Sequence, residues 1–392
     1  MIYVGIDVAK SKHDCVILDD NAQILESVFT FSNSNNGFQK LLKAISNHSI
    51  QNSLDVTIAL EATGHYSDNI LHFLESHDFN VTVFNPLHTN LVRKSKNLRK
   101  IKTDKVDAYT LASMLIETSY VTTKPIPDYI HNLKSLTRSK ARLVHMKSQI
   151  KVSIHRLVDI IFPELHSLVS TIHSASVYAL FSQIGNTQMI ANTHLTKFSN
   201  ILHHASKGRF SKDKALAIRE AAISSIGSNE LTQLLEIQQL LRLLDSFETE
   251  IKITNKAIDD IMDSINSPIT SIPGIGNTLG AVILAEIESI DDFETPAKLL
   301  AFAGMEPSIH QSGKFTSSHA KMVKRGSKYL RRALMMAAQL VSMRSDTFKN
   351  FKIKKNSEGK HHFVTLSHVA RKLVRVIFHL LKTNSHFVEQ SL

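Results

Sequence analysis

Hydrophobic and polar positions alternate differently along the chain. Ile2-Tyr3-Val4-Gly5-Ile6-Asp7-Val8 and Asp14-Cys15-Val16-Ile17-Leu18 are short apolar runs of β character, and residues 28–31 supply a third. Phe38, Leu41, Leu42 and Ile45 recur at helical spacing over residues 38–46. Residues 55–60 form a buried-strand run that ends in Glu61, residues 66–76 predict a helix, and residues 80–84 predict a strand ending at Asn85-Pro86. Beyond residue 130 the period changes. Residues 131–162 and 229–265 predict long helices, the second carrying Leu231, Leu234, Leu235, Leu241, Leu244, Phe247, Ile251 and Ile258 at mixed three-and-four spacing. The tract 163–228 between them, with Pro163 and Lys207-Gly208-Arg209, reads as the tip of a helical hairpin or an insertion. Residues 278–287 and 364–382 predict further helices.

A three-stranded meander followed by helix-strand-helix-strand is the order of an RNase H-like α/β core. The pattern therefore predicts an α/β N-terminal domain over 1–125, a helical, coiled-coil region over 126–267 and a mainly α-helical C-terminal domain over 268–392. Ser271-Ile272-Pro273-Gly274-Ile275-Gly276 between two helices reads as a helix-hairpin-helix, in which Gly274 and Gly276 let backbone N–H groups approach a phosphate. A plain turn is the competing reading.

Charge sharpens this picture. Forty-six Lys and Arg against 35 Asp and Glu give a formal +11, which suits a polyanionic partner. The excess is clustered, in Arg93, Lys94, Lys96, Arg99, Lys100, Lys102 and Lys105 and again in Lys321, Lys324, Arg325, Lys328, Arg331 and Arg332. Such spacing faces phosphates or, alternatively, forms a solvated helix face; Arg371, Lys372 and Arg375 read the same way. The single cysteine, Cys15, excludes an internal disulfide and a multi-thiolate zinc site, reads as strand packing, and fits a reducing compartment. With no apolar run long enough to span a bilayer and no signal segment at MIYVGIDVAK, a cytoplasmic location is expected. The 21 histidines show no His-x-x-x-His beside an acid, so they read as surface or core residues. Few aromatics and no Trp leave no stacking platform for single strands.

Asp7 interrupts an apolar strand, where a charge is costly unless paired or metal-bound. Glu61 ends another predicted strand, and Asp104 and Asp107, three apart, share one face of a predicted helix over 104–115. Converging carboxylates stay ionised together only when hard cations neutralise them, which points to Mg²⁺ (or Mn²⁺). For Asp104 and Asp107 alone, a helix cap and a solvated acid is an equal reading. It accounts for neither Asp7 nor Glu61.

Gly5-Ile6-Asp7-Val8-Ala9-Lys10, Leu60-Glu61-Ala62-Thr63-Gly64 and Lys102-Thr103-Asp104-Lys105-Val106-Asp107-Ala108 together resemble the DEDD transposases of bacterial insertion sequences, a family that includes the Piv/MooV DNA invertases. The C-terminal Ser271–Gly276 segment, Phe302-Ala303-Gly304-Met305-Glu306-Pro307, Gln311-Ser312-Gly313 and Lys324-Arg325-Gly326-Ser327-Lys328-Tyr329-Leu330-Arg331 follow in the family's order. The resemblance spans roughly 1–120 and 268–384. It implies a RuvC-like domain, a coiled coil, and a C-terminal domain whose serine attacks DNA and stays covalently linked to it. By position Ser312 matches that nucleophile; from residue type alone, Ser308, Ser317, Ser318 and Ser327 are equal candidates. Ser327 departs from the family, which often has Asn there.

The resemblance further implies DNA partners (element ends and target), a structured guide RNA held through its A-form shape, and a homo-oligomer, dimer or tetramer. Three alternatives stand beside it. One is a RuvC-like metal-dependent nuclease that uses water. Another is an actin-like sugar kinase, whose first phosphate loop resembles Gly5–Lys10 but which needs a second α/β lobe. The last is a non-catalytic DNA-binding protein, which leaves Asp7 unexplained.

Overall fold

A computed structural model describes residues 1–48, 55–62, 64–96, 104–117, 126–307, 311–312, 315–316 and 322–389. The chain divides into two compact units, Met1–Pro125 and Ile126–Leu392.

In the first unit β1 (Ile2–Val8), β2 (Lys12–Leu18) and β3 (Ile24–Ser32) form an antiparallel meander, followed by α1 (Asn35–Ser46), β4 (Val56–Glu61), α2 (Asp68–Glu75), β5 (Asn80–Phe84), α3 (Pro86–Lys96) and α4 (Asp104–Glu117). The five strands make one mixed sheet in the order β3-β2-β1-β4-β5, with β4 parallel to both β1 and β5. Strand alternation gives it two faces. Ile2, Val4, Ile6, Cys15, Ile17, Ile58 and Leu60 bury against Phe38 and Leu41 of α1 and Ile70 and Leu74 of α2. On the opposite face Ala59, Phe84, Val16 and Leu18 meet Ala108, Leu111, Ala112 and Leu115 of α4. Gly5 explains how closely α4 lies on β1: a Cβ there would stand 2.1 Å from the Ala108 carbonyl oxygen and 2.6 Å from the Ala112 nitrogen. Cys15 is fully buried, and that burial raises its thiol pKa well above the ordinary range, as a packing residue requires.

Residues 93–105 stand out in the sequence as a basic run, and those up to Lys96 belong to α3. Its signal was Pro86 at the first helical position, where a missing N–H costs nothing.

The second unit is helical. α5 (Asp128–Ile161) leads through α6 (Leu165–Leu168), α7 (Ala175–Ala179), α8 (Thr187–Asn192), α9 (Leu195–Ala205) and α10 (Lys212–Ile223) to α11 (Leu231–Ile265). α5 and α11 run antiparallel, since Leu133 packs near Ile258 and Met262, Lys147 pairs with Glu248 at 2.8 Å and Arg156 with Glu236 at 2.7 Å. The tract between them is a small helical subdomain around Phe162, Phe181 and Phe198. α12 (Asn277–Ile287), α13 (Pro296–Phe302), the two-residue strands β6 (Gln311–Ser312) and β7 (Phe315–Thr316), α14 (Lys328–Arg344), α15 (Asp346–Ser357) and α16 (His362–Thr383) complete the unit. Their core joins Ile283, Ile287, Leu330, Leu334, Ala338, Val369, Leu373 and Ile377. Among the described residues no helix is long and apolar enough to cross a membrane.

Candidate active site

Register builds the carboxylate face of the first unit. Asp7 of β1 lies opposite Asp14 of β2, and Ile6 is paired with Leu60, which brings Glu61 alongside Asp7. Cross-strand neighbours share a face. Asp7, Asp14 and Glu61 therefore share the face that α4 covers, and Asp107 stands one residue before Ala108, the residue seated on Gly5. Asp104 opens α4 one turn earlier; its side chain lies outside the described residues.

Each described acid is held. The Thr89 hydroxyl donates to Glu61 Oε1 at 2.5 Å, and Thr30 donates to Asp14 Oδ1 at 2.5 Å. Asp107, only 13% exposed, accepts from Arg93 Nη1 at 2.8 Å, while Arg93 Nη2 donates to Asn90 at 3.1 Å. Glu61, Thr89, Arg93, Asp107, Thr110 and Leu111 line one small cleft. All-oxygen acidic donors suit a hard divalent cation, and the Arg93 guanidinium puts positive charge beside one of them, Asp107. Asp14, 8% exposed, was missed in the sequence. Recognising that β1 and β2 turn at Lys10-Ser11 would have placed it across from Asp7.

Of the proposed phosphate contacts, Arg93 turns instead to Asp107, and Lys94 is exposed. Lys96 ends α3, its side chain not described, and Arg99, Lys100 and Lys102 lie outside the described residues.

In the second unit Ser312 ends β6, paired with Phe315 of β7; its side chain, like Gly313, is not described. Two motifs clamp the base of this hairpin. Lys324 N donates to the Gly304 carbonyl at 3.0 Å, Val323 N to Glu306 at 3.0 Å, and Ser327 N to Phe302 at 3.1 Å. Gly304 (φ +65°) and Gly326 (φ +113°) are required there, because a Cβ would stand 2.2 Å from the Arg325 carbonyl oxygen and 1.9 Å from that of Phe302. Arg331 Nη1 lies 3.2 Å from the carbonyl oxygens of both Ala303 and Lys324, so it holds the clamp rather than standing free for a phosphate. Lys324, Lys328 and Arg332 remain exposed.

Ser327 caps α14, accepting from Leu330 N at 3.1 Å, and donates to the buried Glu286 at 2.5 Å. Asn is an equally good N-cap, which explains why Ser is tolerated where the family often has Asn. Glu286, 3% exposed, also receives both Arg138 Nε at 2.8 Å and Nη2 at 3.2 Å, and that pairing raises the Arg138 pKa. At Gly274 (φ +102°) a Cβ would stand 3.0–3.1 Å from the α14 backbone at Leu340 and Val341, a packing reason for a glycine. Gly276 N-caps α12 with open space at its Cβ position.

A family model described as a transposase, of the DEDD IS110 type, matches residues 4–163, and one described as the transposase IS116/IS110/IS902 family matches residues 266–352. The chain belongs to this transposase family. Its relatives include the pilin gene-inverting protein of Moraxella bovis, 25% identical over 98% of this chain and 97% of that one. The insertion element IS116 44.8 kDa protein of Streptomyces clavuligerus is 24% identical over 98% of this chain and 96% of its own. The mini-circle putative transposase for IS117 of Streptomyces coelicolor is 23% identical over 99% and 96%. This family member is a DNA recombinase or transposase, an enzyme that binds DNA.

Proposed function

We propose that the chain cuts and exchanges DNA strands by a Mg²⁺-dependent (or Mn²⁺-dependent) reaction through a transient ester between Ser312 and a DNA phosphate. The observation that carries this reading is that Asp7 and Glu61 lie on the sheet face that α4 covers, with Asp107 of α4 lining one cleft with Glu61. The strand order β3-β2-β1-β4-β5 supports an RNase H-like assignment of that unit. Asp7, Glu61, Asp104 and Asp107 would hold the cation, and Asp14 lies beside them. When bound, the ion supplies charge neutralisation at the phosphate and lowers the cost of an anionic nucleophile. Arg93 balances Asp107 and keeps the carboxylates together meanwhile.

Ser312 is assigned as nucleophile by its place in Gln311-Ser312-Gly313 and by the clamp that fixes its hairpin. A serine–phosphate ester conserves the energy of the cut bond, so rejoining to a second strand needs no external energy source. Residues 1–125, 126–267 and 268–392 then act as metal-binding, spacing and serine-bearing modules. Lys324, Lys328 and Arg332 contact DNA backbone, with the N–H groups near Gly274 and Gly276 a further phosphate site of helix-hairpin-helix type. Lys94, Lys96, Arg99, Lys100 and Lys102 suit a structured guide RNA, and an oligomer, dimer or tetramer, holds the several strands. The kinase alternative fails on architecture: the described residues of the second unit hold helices and one two-stranded hairpin, not an α/β lobe.

The test is strand exchange on element-end DNA. Ser312→Ala is expected to lower the rate by on the order of a thousandfold or more. Asp7→Asn and Glu61→Gln are expected to do the same. Cut products with free ends and undiminished rate in Ser312→Ala would instead identify water as the nucleophile.

A further inference from the structure

A second cluster of ligating side chains lies at the far end of α5, apart from the carboxylates. His155 and Asp159 are four residues apart on α5 and so share a face. Past Phe162 and Pro163 the chain turns, and α6 returns His166 to that face. Its Nε2 lies 2.5 Å from Asp159 Oδ1, and His155 Nε2 lies 3.9 Å from the same oxygen. All three ligand atoms fall within 4.8 Å of one another, the only such group among the described residues. No His-x-x-x-His marks the group in the sequence, because an acid takes the second position and the third ligand follows a turn.

The backbone beneath this group is anchored. Phe162 and Leu165, on either side of the turn, are fully buried. The Glu164 carboxylate accepts from Ser225 Oγ at 2.6 Å and from Ile226 N at 3.0 Å, tying the turn to the chain after α10. Ligands on a rigid frame lose little entropy on binding. A hydrogen bond between His166 and Asp159 would satisfy those two residues alone. His155 reaches the same oxygen through its i,i+4 spacing, which sets its ring 4.9 Å from that of His166 and makes a three-ligand group.

We propose that His155, Asp159 and His166 form a Zn²⁺ site, with water in the fourth position, that staples the end of α5 to the turn leading into α6. Two imidazoles and one carboxylate are a zinc donor set, whereas the all-carboxylate face suits Mg²⁺. Tetrahedral Zn²⁺ with bonds of about 2.1 Å spaces its ligand atoms about 3.4 Å apart. The observed 2.5 and 3.9 Å bracket that separation, so small side-chain rotations close the site. His173, whose ring centre is 6.1 Å from that of His155, is the neighbouring imidazole.

The full chain, stripped with a chelator, is titrated with Co²⁺ and then Zn²⁺ in a Glu61→Gln, Asp107→Asn background that removes the carboxylate site. One equivalent of Co²⁺ with the visible absorption of tetrahedral coordination is expected, displaced by Zn²⁺. His155→Ala and His166→Gln should each weaken binding at least tenfold, the second keeping a side chain able to hydrogen-bond Asp159. Absence of that equivalent, or its persistence unweakened in both variants, overturns the proposal.

Discussion

A methyl group at Gly5 would overlap the Ala108 carbonyl oxygen, so Gly5→Ala must push α4 off the sheet and Asp107 with it. Overpacking of this kind costs about 1–3 kcal/mol. A lowered urea midpoint, accompanied by weaker Mn²⁺ binding, is the expected result; an unchanged midpoint would mean that α4 is not seated on β1. On the other face His13 is fully buried, with its ring 5.1 Å from Phe31 and 6.1 Å from Phe38. Burial lowers its pKa below the ordinary 6.5, while the Asp14 charge opposes that shift. The folded chain then refuses a proton that the unfolded chain accepts, so stability is whole above pH 6.5 and falls as the pH drops below it. His173 and His368 are shifted the same way. The comparison that isolates His13 is therefore His13→Phe, which should lose less stability between pH 7 and about pH 5.5 than the unaltered chain in urea titrations.

At the scale of elements, the first unit was largely legible because its signals are local. β1, β4 and β5 are short, mostly apolar runs, and α4 opens at Asp104, where spacing placed it. Less legible was anything set by partners distant in sequence. Asp14 became a member of the acidic face only through strand register, and Arg93 looked like a phosphate contact until α3 and α4 brought it to Asp107. The glycines and Arg331 of the two C-terminal motifs likewise made sense only as two halves of one clamp. Two predictions divide the basic residues of α14 accordingly. Lys328→Ala and Arg332→Ala should leave the melting temperature unchanged and each lower the salt dependence of DNA binding by about one counterion. Arg331→Ala should lower the melting temperature. Glu286→Ala should cost about 1–3 kcal/mol, since it strands the Ser327 hydroxyl and a guanidinium that, at 39% exposed, recovers part of its hydration.

At the scale of the whole molecule, a charge of +11 fits an enzyme that binds DNA. The central claim is that Ser312 carries the DNA and the carboxylate face enables it to do so. It is tested most directly by trapping the protein on element-end DNA, digesting both, and identifying by mass spectrometry the peptide that retains a nucleotide. A nucleotide on the peptide containing Ser312, formed only with a divalent cation and absent from Asp7→Asn, is the predicted result. A nucleotide on another residue, or the same yield without a divalent cation, would contradict it.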